Sequence, residues 1–146
     1  MTPWGAEQIR DEVILVARIL LVALFVVFGW GKLTGYSATA GYMAQVGAPM
    51  PSVAAVVAIV VEFFVALLVA FGAWTRPLAL LLALYTLGTA LIAHHFWTME
   101  GADRYANAIN FYKNVSIIGG FLLLYVTGAG KYSVDARVGS AEPPPR

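Results

Sequence analysis

The sequence predicts an all-α integral membrane protein, a four-helix transmembrane bundle with a short amphipathic outer segment between helices 1 and 2. Three observations point to it. The residues AVILMFWYC make up 60% of the 146-residue chain and only 12% are charged, against about 25% in soluble domains. The mean hydropathy is +0.78. The apolar residues also fall into four blocks, 13–33, 52–73, 77–97 and 109–127, each close to the ~20 residues that carry a helix across about 30 Å of hydrocarbon. Too little polar sequence is left to wrap four such helices in water.

The first block carries Arg18 in its interior and is preceded by Asp11 and Glu12. Its apolar run exceeds the ~7–15 residues of a signal-peptide core, and acidic residues precede it, so it reads as an uncleaved span. Between 34 and 51, Ser37 is expected to cap a short helix that Gly47 ends, with Tyr42, Met43 and Val46 on one face. Such a segment lies along the outer surface as a lid, or is a plain loop. The second block contains Glu62, and Ala73-Trp74-Thr75-Arg76-Pro77 after it reads as a tight turn with Pro77 in the next helix's first turn. The third block ends in His94 and His95, and the fourth has Lys113 near its start. Residues 1–137 thus form a single four-span domain, and the proline-rich tail 138–146 reads as disordered.

Four crossings place both termini on one side, together with Arg10, Arg76, Lys131, Arg137 and Arg146, while Lys32 and Arg104 lie near the other. Lys and Arg in short loops are retained in the cytoplasm, so both termini are expected there. Trp4, Tyr36, Trp74, Trp97, Tyr105, Tyr125 and Tyr132 fall near span ends, where amphipathic rings prefer to lie.

Several functions are excluded by counting. A net charge of +1 gives no electrostatic reason to bind nucleic acid. With no cysteine, the chain has no disulfide, iron–sulfur or thiol chemistry of its own. Adjacent His94 and His95 point about 100° apart on a helix and cannot make a bis-histidine haem. The ligands for a zinc site are lacking, and no glycine-rich nucleotide loop or nucleophile elbow occurs. No tightly bound cofactor is expected.

Ionisable groups in hydrocarbon are costly and usually face a cavity or a partner. Glu62 sits on a strip of small residues, Ala54, Ala58, Ala66 and Ala70, that lets helices approach closely. Arg18, Phe25, Gly29 and Lys32 share an arc of the first helix, and Ala83, Thr86, Ala90 and His94 a face of the third. On the fourth, Lys113, Ser116 and Gly120 share a face, with Asn110 and Asn114 beside it. By helical rise, Glu62 lies about 15 Å from either surface, and His94 and Lys113 within about 8 Å of the outer one. An outward-opening polar pocket lined by Glu62, His94, Lys113 and Asn114 is expected. Arg18 either caps it from below or snorkels to cytoplasmic headgroups.

Arg18 followed by Phe28-Gly29-Trp30-Gly31-Lys32-Leu33 resembles the first-span pattern of the DoxX family. Glu62 with Gly72-Ala73-Trp74-Thr75-Arg76 is similar to its second span, as is His94-His95-Phe96-Trp97 to its third. Asn110-Phe111-Tyr112-Lys113-Asn114 with Gly119-Gly120, then the run 128–135, complete a likeness from about residue 10 to 137. The resemblance implies a four-helix protein of the bacterial inner membrane. It further implies quinone-linked oxidoreductase subunits, including the small subunit of a thiosulfate:quinone oxidoreductase, and roles in oxidative-stress complexes or quinone detoxification.

Two readings of function follow. In the first, the pocket binds a quinone or small aromatic: Lys113, Asn114 and His94 donate hydrogen bonds, Arg18 lies deepest, and Glu62 with His94 relays protons. Phe25, Phe63, Phe96 and Phe111 would line its groove, and a redox partner protein would supply electrons. In the second, the same charged core serves a small-solute carrier, or an assembly or scaffold factor without redox chemistry. Either sits in the lipid bilayer, and a homo-oligomer is open.

Overall fold

A computed structural model describes residues 5 and 7–139. Trp4, Arg146 and the tail from 140 onward lie outside the described residues. Helix α1 spans Arg10–Thr34 and α2 spans Tyr36–Gln45. Helix α3 runs Pro51–Phe71, α4 covers Thr75–Ala93 and a 3-10 turn follows at Phe96–Thr98. Helix α5 is Gly101–Thr127 and α6 is Val134–Gly139. Among the described residues there is no strand, and α1, α3, α4 with its 3-10 turn, and α5 are each long and apolar enough to span a membrane.

Local chemistry sets the ends. Asp11 and Glu12 in the first turn of α1 and Lys32 in its last complement the helix dipole. The expected Ser37 cap is corrected: Gly35 holds the cap position, its N–H bonded back to Gly31 O, and Ser37 lies inside the first turn of α2. Gly47 does end that helix. Its φ of +74° lets Ala48 N–H reach Met43 O and Gly47 N–H reach Ala44 O, closing the last turn. Two further boundaries differ from the apolar runs. Helix α4 stops at Ala93 rather than continuing to 97, because the backbone turns at His94 and His95. Helix α5 starts at Gly101 rather than 109, since its polar first turns are still helical. Lys113 therefore stands halfway along α5, not near its start.

The helices meet in one core toward the end that carries both termini. Val22 and Phe25 of α1, Val65 and Val69 of α3, Leu82 of α4 and Phe121 of α5 anchor it. The Phe25 and Phe121 rings pack edge-on, 5.5 Å between centroids. In lipid the drive is close packing rather than exclusion of water. Toward the opposite end, which bears α2, the bundle splits: α3 packs on α1 and α2, while α4 and α5 pack on each other.

The terminal end is fastened by side chains. Asp135 accepts from Trp74 N–H at 2.7 Å and Thr75 N–H at 2.9 Å, capping α4 from outside it. Asp11 accepts from Lys131 N–H at 3.0 Å, joining the two ends of the chain. Asp135→Ala removes the cap and is expected to destabilise the fold by about 1 kcal/mol, read as a lower midpoint in thermal unfolding in detergent.

Candidate functional site

The split in the bundle encloses a cavity of about 910 Å³. Leu24, Phe28, Val53, Val57 and Ile92 make its walls largely apolar, and Tyr42 and Met43 of α2, with Val46 just after it, cover one side. Glu62, His94, Lys113 and Asn114 all line it, and so does Lys32.

At the core end of the cavity stands a cluster absent from the sequence reading. Lys32 Nζ lies 2.5 Å from Glu62 Oε2, and Tyr85 OH donates to Glu62 Oε1 at 2.6 Å. Glu62 is only 8% exposed. Three helices thus meet at one carboxylate, each of whose oxygens has a donor. Two features of the backbone put it there. Residues Val60–Val65 of α3 form a wider π turn, a distortion frequent at functional sites. Gly29 of α1 crosses at that turn so closely that a Cβ would lie 2.7 Å from the Glu62 carbonyl carbon. Lys32 follows Gly29 by three residues and so faces the same way. Tyr42, in α2, has its phenol pushed up from the ordinary tyrosine range by burial and then by the Glu62 charge.

The other candidates have different partners. Lys113 Nζ donates to Asn110 Oδ1 at 2.9 Å, and His94 Nδ1 meets Asn107 Oδ1 at 2.9 Å. Arg18 stands apart from the cavity, 1% exposed near the terminal end. Its Nε donates to Ala70 O at 3.2 Å, Nη2 to Tyr132 O at 2.8 Å and Nη1 to Ala129 O. It fastens α3 and the segment after α5 to α1. Glu62 pairs with neither Arg18 nor Lys113. Of the four phenylalanines expected along the groove, only Phe25 lines it. Phe63 instead packs on Trp30, and Phe96 on Phe111.

Lys32 and Tyr85 were the residues to find. Lys32 shares an arc with Gly29, but its place near the span's end makes it look like a boundary cation. Tyr85 gave a clearer signal: a tyrosine in mid-span has no aqueous interface to reach and needs an internal acceptor. No group of His, Asp or Glu suited to a metal occurs among the described residues.

Four membrane-length helices, a split at one end and an intramembrane carboxylate shared by a lysine and a tyrosine define a small polytopic membrane protein with an internal cavity. The chain matches the DoxX family over residues 13–95 and belongs to it. It is 52% identical over 128 residues to inner membrane protein YphA of Escherichia coli (strain K12), covering 88% of this chain and 91% of that one. Inner membrane protein YqjF of the same organism is 44% identical over 132 residues, 88% of this chain and 94% of its own. The ER-derived vesicles protein ERV29 of Saccharomyces cerevisiae (strain ATCC 204508 / S288c) is 24% identical over 131 residues, which is 90% of this chain but 35% of that protein. No solved structure matches the chain.

Proposed function

We propose that this chain is a small inner-membrane subunit that binds a quinone or a comparable small aromatic in the cavity. Both termini lie in the cytoplasm and the cavity opens toward the opposite side. The names of the two Escherichia coli relatives support the membrane, and the basic residues at the terminal end support the orientation.

The observation that carries the binding reading is the cavity itself: about 910 Å³, apolar along its walls, with polar groups from all four spanning helices. Small-molecule sites have that size and that division of labour. The donor set fits a quinone, whose carbonyl oxygens accept; Lys113 and Asn114 supply donors, and the apolar walls suit a ring and tail. Reduction of a quinone to a quinol takes up two electrons and two protons. Glu62, bonded to Lys32 and Tyr85, is placed to hold and release protons beside the ring, with His94 nearer the cavity mouth. The electrons come from a partner protein. Arg18 keeps the helices in place and touches no ligand.

A quinone analogue titrated into purified protein in lipid nanodiscs tests this. Glu62→Gln and Lys113→Ala are each expected to weaken binding by about tenfold, roughly 1.4 kcal/mol. Unchanged affinity in both variants contradicts the reading. Solute flux in proteoliposomes, with no response to quinone, would favour the carrier instead.

A further inference from the structure

Most polar groups of the cavity satisfy one another. Both oxygens of Glu62 are engaged, by Lys32 and by Tyr85. His94 is engaged with Asn107, and Thr86 Oγ1 donates to Leu82 O at 2.7 Å. One turn of α5 is different. Lys113 Nζ has a neutral amide oxygen, Asn110 Oδ1, as its partner and no carboxylate within ion-pair reach among the described residues. Asn114 is only 8% exposed and lines the cavity, yet its side-chain amide has no hydrogen-bond partner among the described residues.

Both features lack something. Lys113 is exposed along the cavity wall and carries a charge that no carboxylate among the described residues answers, and the Asn114 amide faces the cavity without a partner among the described residues. The two side chains are adjacent in sequence, on the cavity side of one helical turn, halfway along a 27-residue helix. A carboxylate satisfies both at once, one oxygen accepting from Lys113 and the other from Asn114, in charge-assisted bonds about twice as strong as neutral ones. A neutral ligand leaves the ammonium uncompensated. Glu62 is paired with Lys32, and no other acidic group among the described residues lines the cavity to repel such an anion.

We infer that the turn Asn110-Lys113-Asn114 is the recognition site for an acidic oxygen, so that the cavity prefers an amphipathic carboxylate to its neutral isostere. The apolar walls hold the body of the molecule, whether an aromatic acid or a free fatty acid. The inference rests on the cavity's being a binding site and not on the occupant's being a quinone.

The test uses full-length protein in phosphatidylcholine nanodiscs, which carry no net anionic headgroup, with empty nanodiscs subtracted. Naphthoate is compared with naphthamide, and decanoate with decanamide, so that the tighter acid distinguishes an aromatic from a fatty body. The acid of at least one pair is expected to bind about tenfold tighter than its amide. Lys113→Met abolishes the preference and Lys113→Arg restores it, which separates loss of charge from loss of fold. Equal affinity for acid and amide, or a preference that survives Lys113→Met, overturns the inference. A quinone analogue titrated in parallel keeps the two readings apart. Binding of the analogue without a preference for acids sinks the inference alone, and the reverse pattern sinks the quinone alone.

Discussion

Gly29→Ala is expected to lower stability by about 1–3 kcal/mol and to weaken quinone-analogue binding more than any substitution of a cavity side chain. The added Cβ would stand 2.7 Å from Glu62 C and Phe63 N and 2.8 Å from Glu62 O. All three atoms are backbone, so no rotamer change relieves the clash, and α1 must move away from α3. That movement draws Lys32 from Glu62 and opens the π turn. Gly119 is the control: a Cβ there meets nothing within 4 Å and the residue does not line the cavity, so Gly119→Ala should leave both readouts near wild type. Thermal unfolding in detergent and the binding titration check the pair. Equal behaviour of the two variants would mean that the crossing at Gly29 does not set the site.

Arg18→Met is expected to cost more stability still, about 3–5 kcal/mol, while acting far from the cavity. The guanidinium binds three carbonyls, on Ala70, Ala129 and Tyr132, from a position 1% exposed. A methionine fills part of the volume and leaves those acceptors without partners. Lysine is no substitute, because one ammonium on a flexible stem cannot present donors as a planar fork. The surroundings are built to this side chain: a Cβ on Gly72 would fall 2.8 Å from Arg18 Nη1, and Gly72 holds a φ of +72° that favours glycine. The readout is the unfolding midpoint, with a shift well beyond that of Asp135→Ala.

The spans could be read because composition and length dictate them: an apolar run of ~20 residues has few alternatives to crossing a bilayer. Their ends were less legible. The first turns of α5 are polar, so an apolar count begins too late, and it moved Lys113 from mid-helix toward a surface. The clustering of polar residues on helix faces was legible for Glu62, Lys113 and Asn114, since a shared face follows from helical period alone; His94 lines the cavity from the turn after α4 instead. Which of them bond one another was not. The π turn owes its place to packing against Gly29, a contact between helices that no periodicity within α3 reveals. The partners of Glu62 followed from that crossing, which brought up Lys32 rather than Lys113. Arg18 looked like a site residue because charge in mid-span suggests function; backbone carbonyls, which every sequence has, took it instead.

The absence of cysteine allows a direct test of whether an accessible cavity lies inside this bundle. Single cysteines would be placed at Ala54 of α3 and Thr89 of α4, which line the cavity, and at Leu82 in the core and Leu84 on the outer surface. Each variant, in lipid vesicles, would be exposed to a charged, water-soluble thiol reagent. Labelling at Ala54→Cys and Thr89→Cys, with little at Leu82→Cys or Leu84→Cys, is the predicted result. Equal protection of all four positions would mean that no hydrated cavity joins Glu62 to the membrane surface, and would contradict the account.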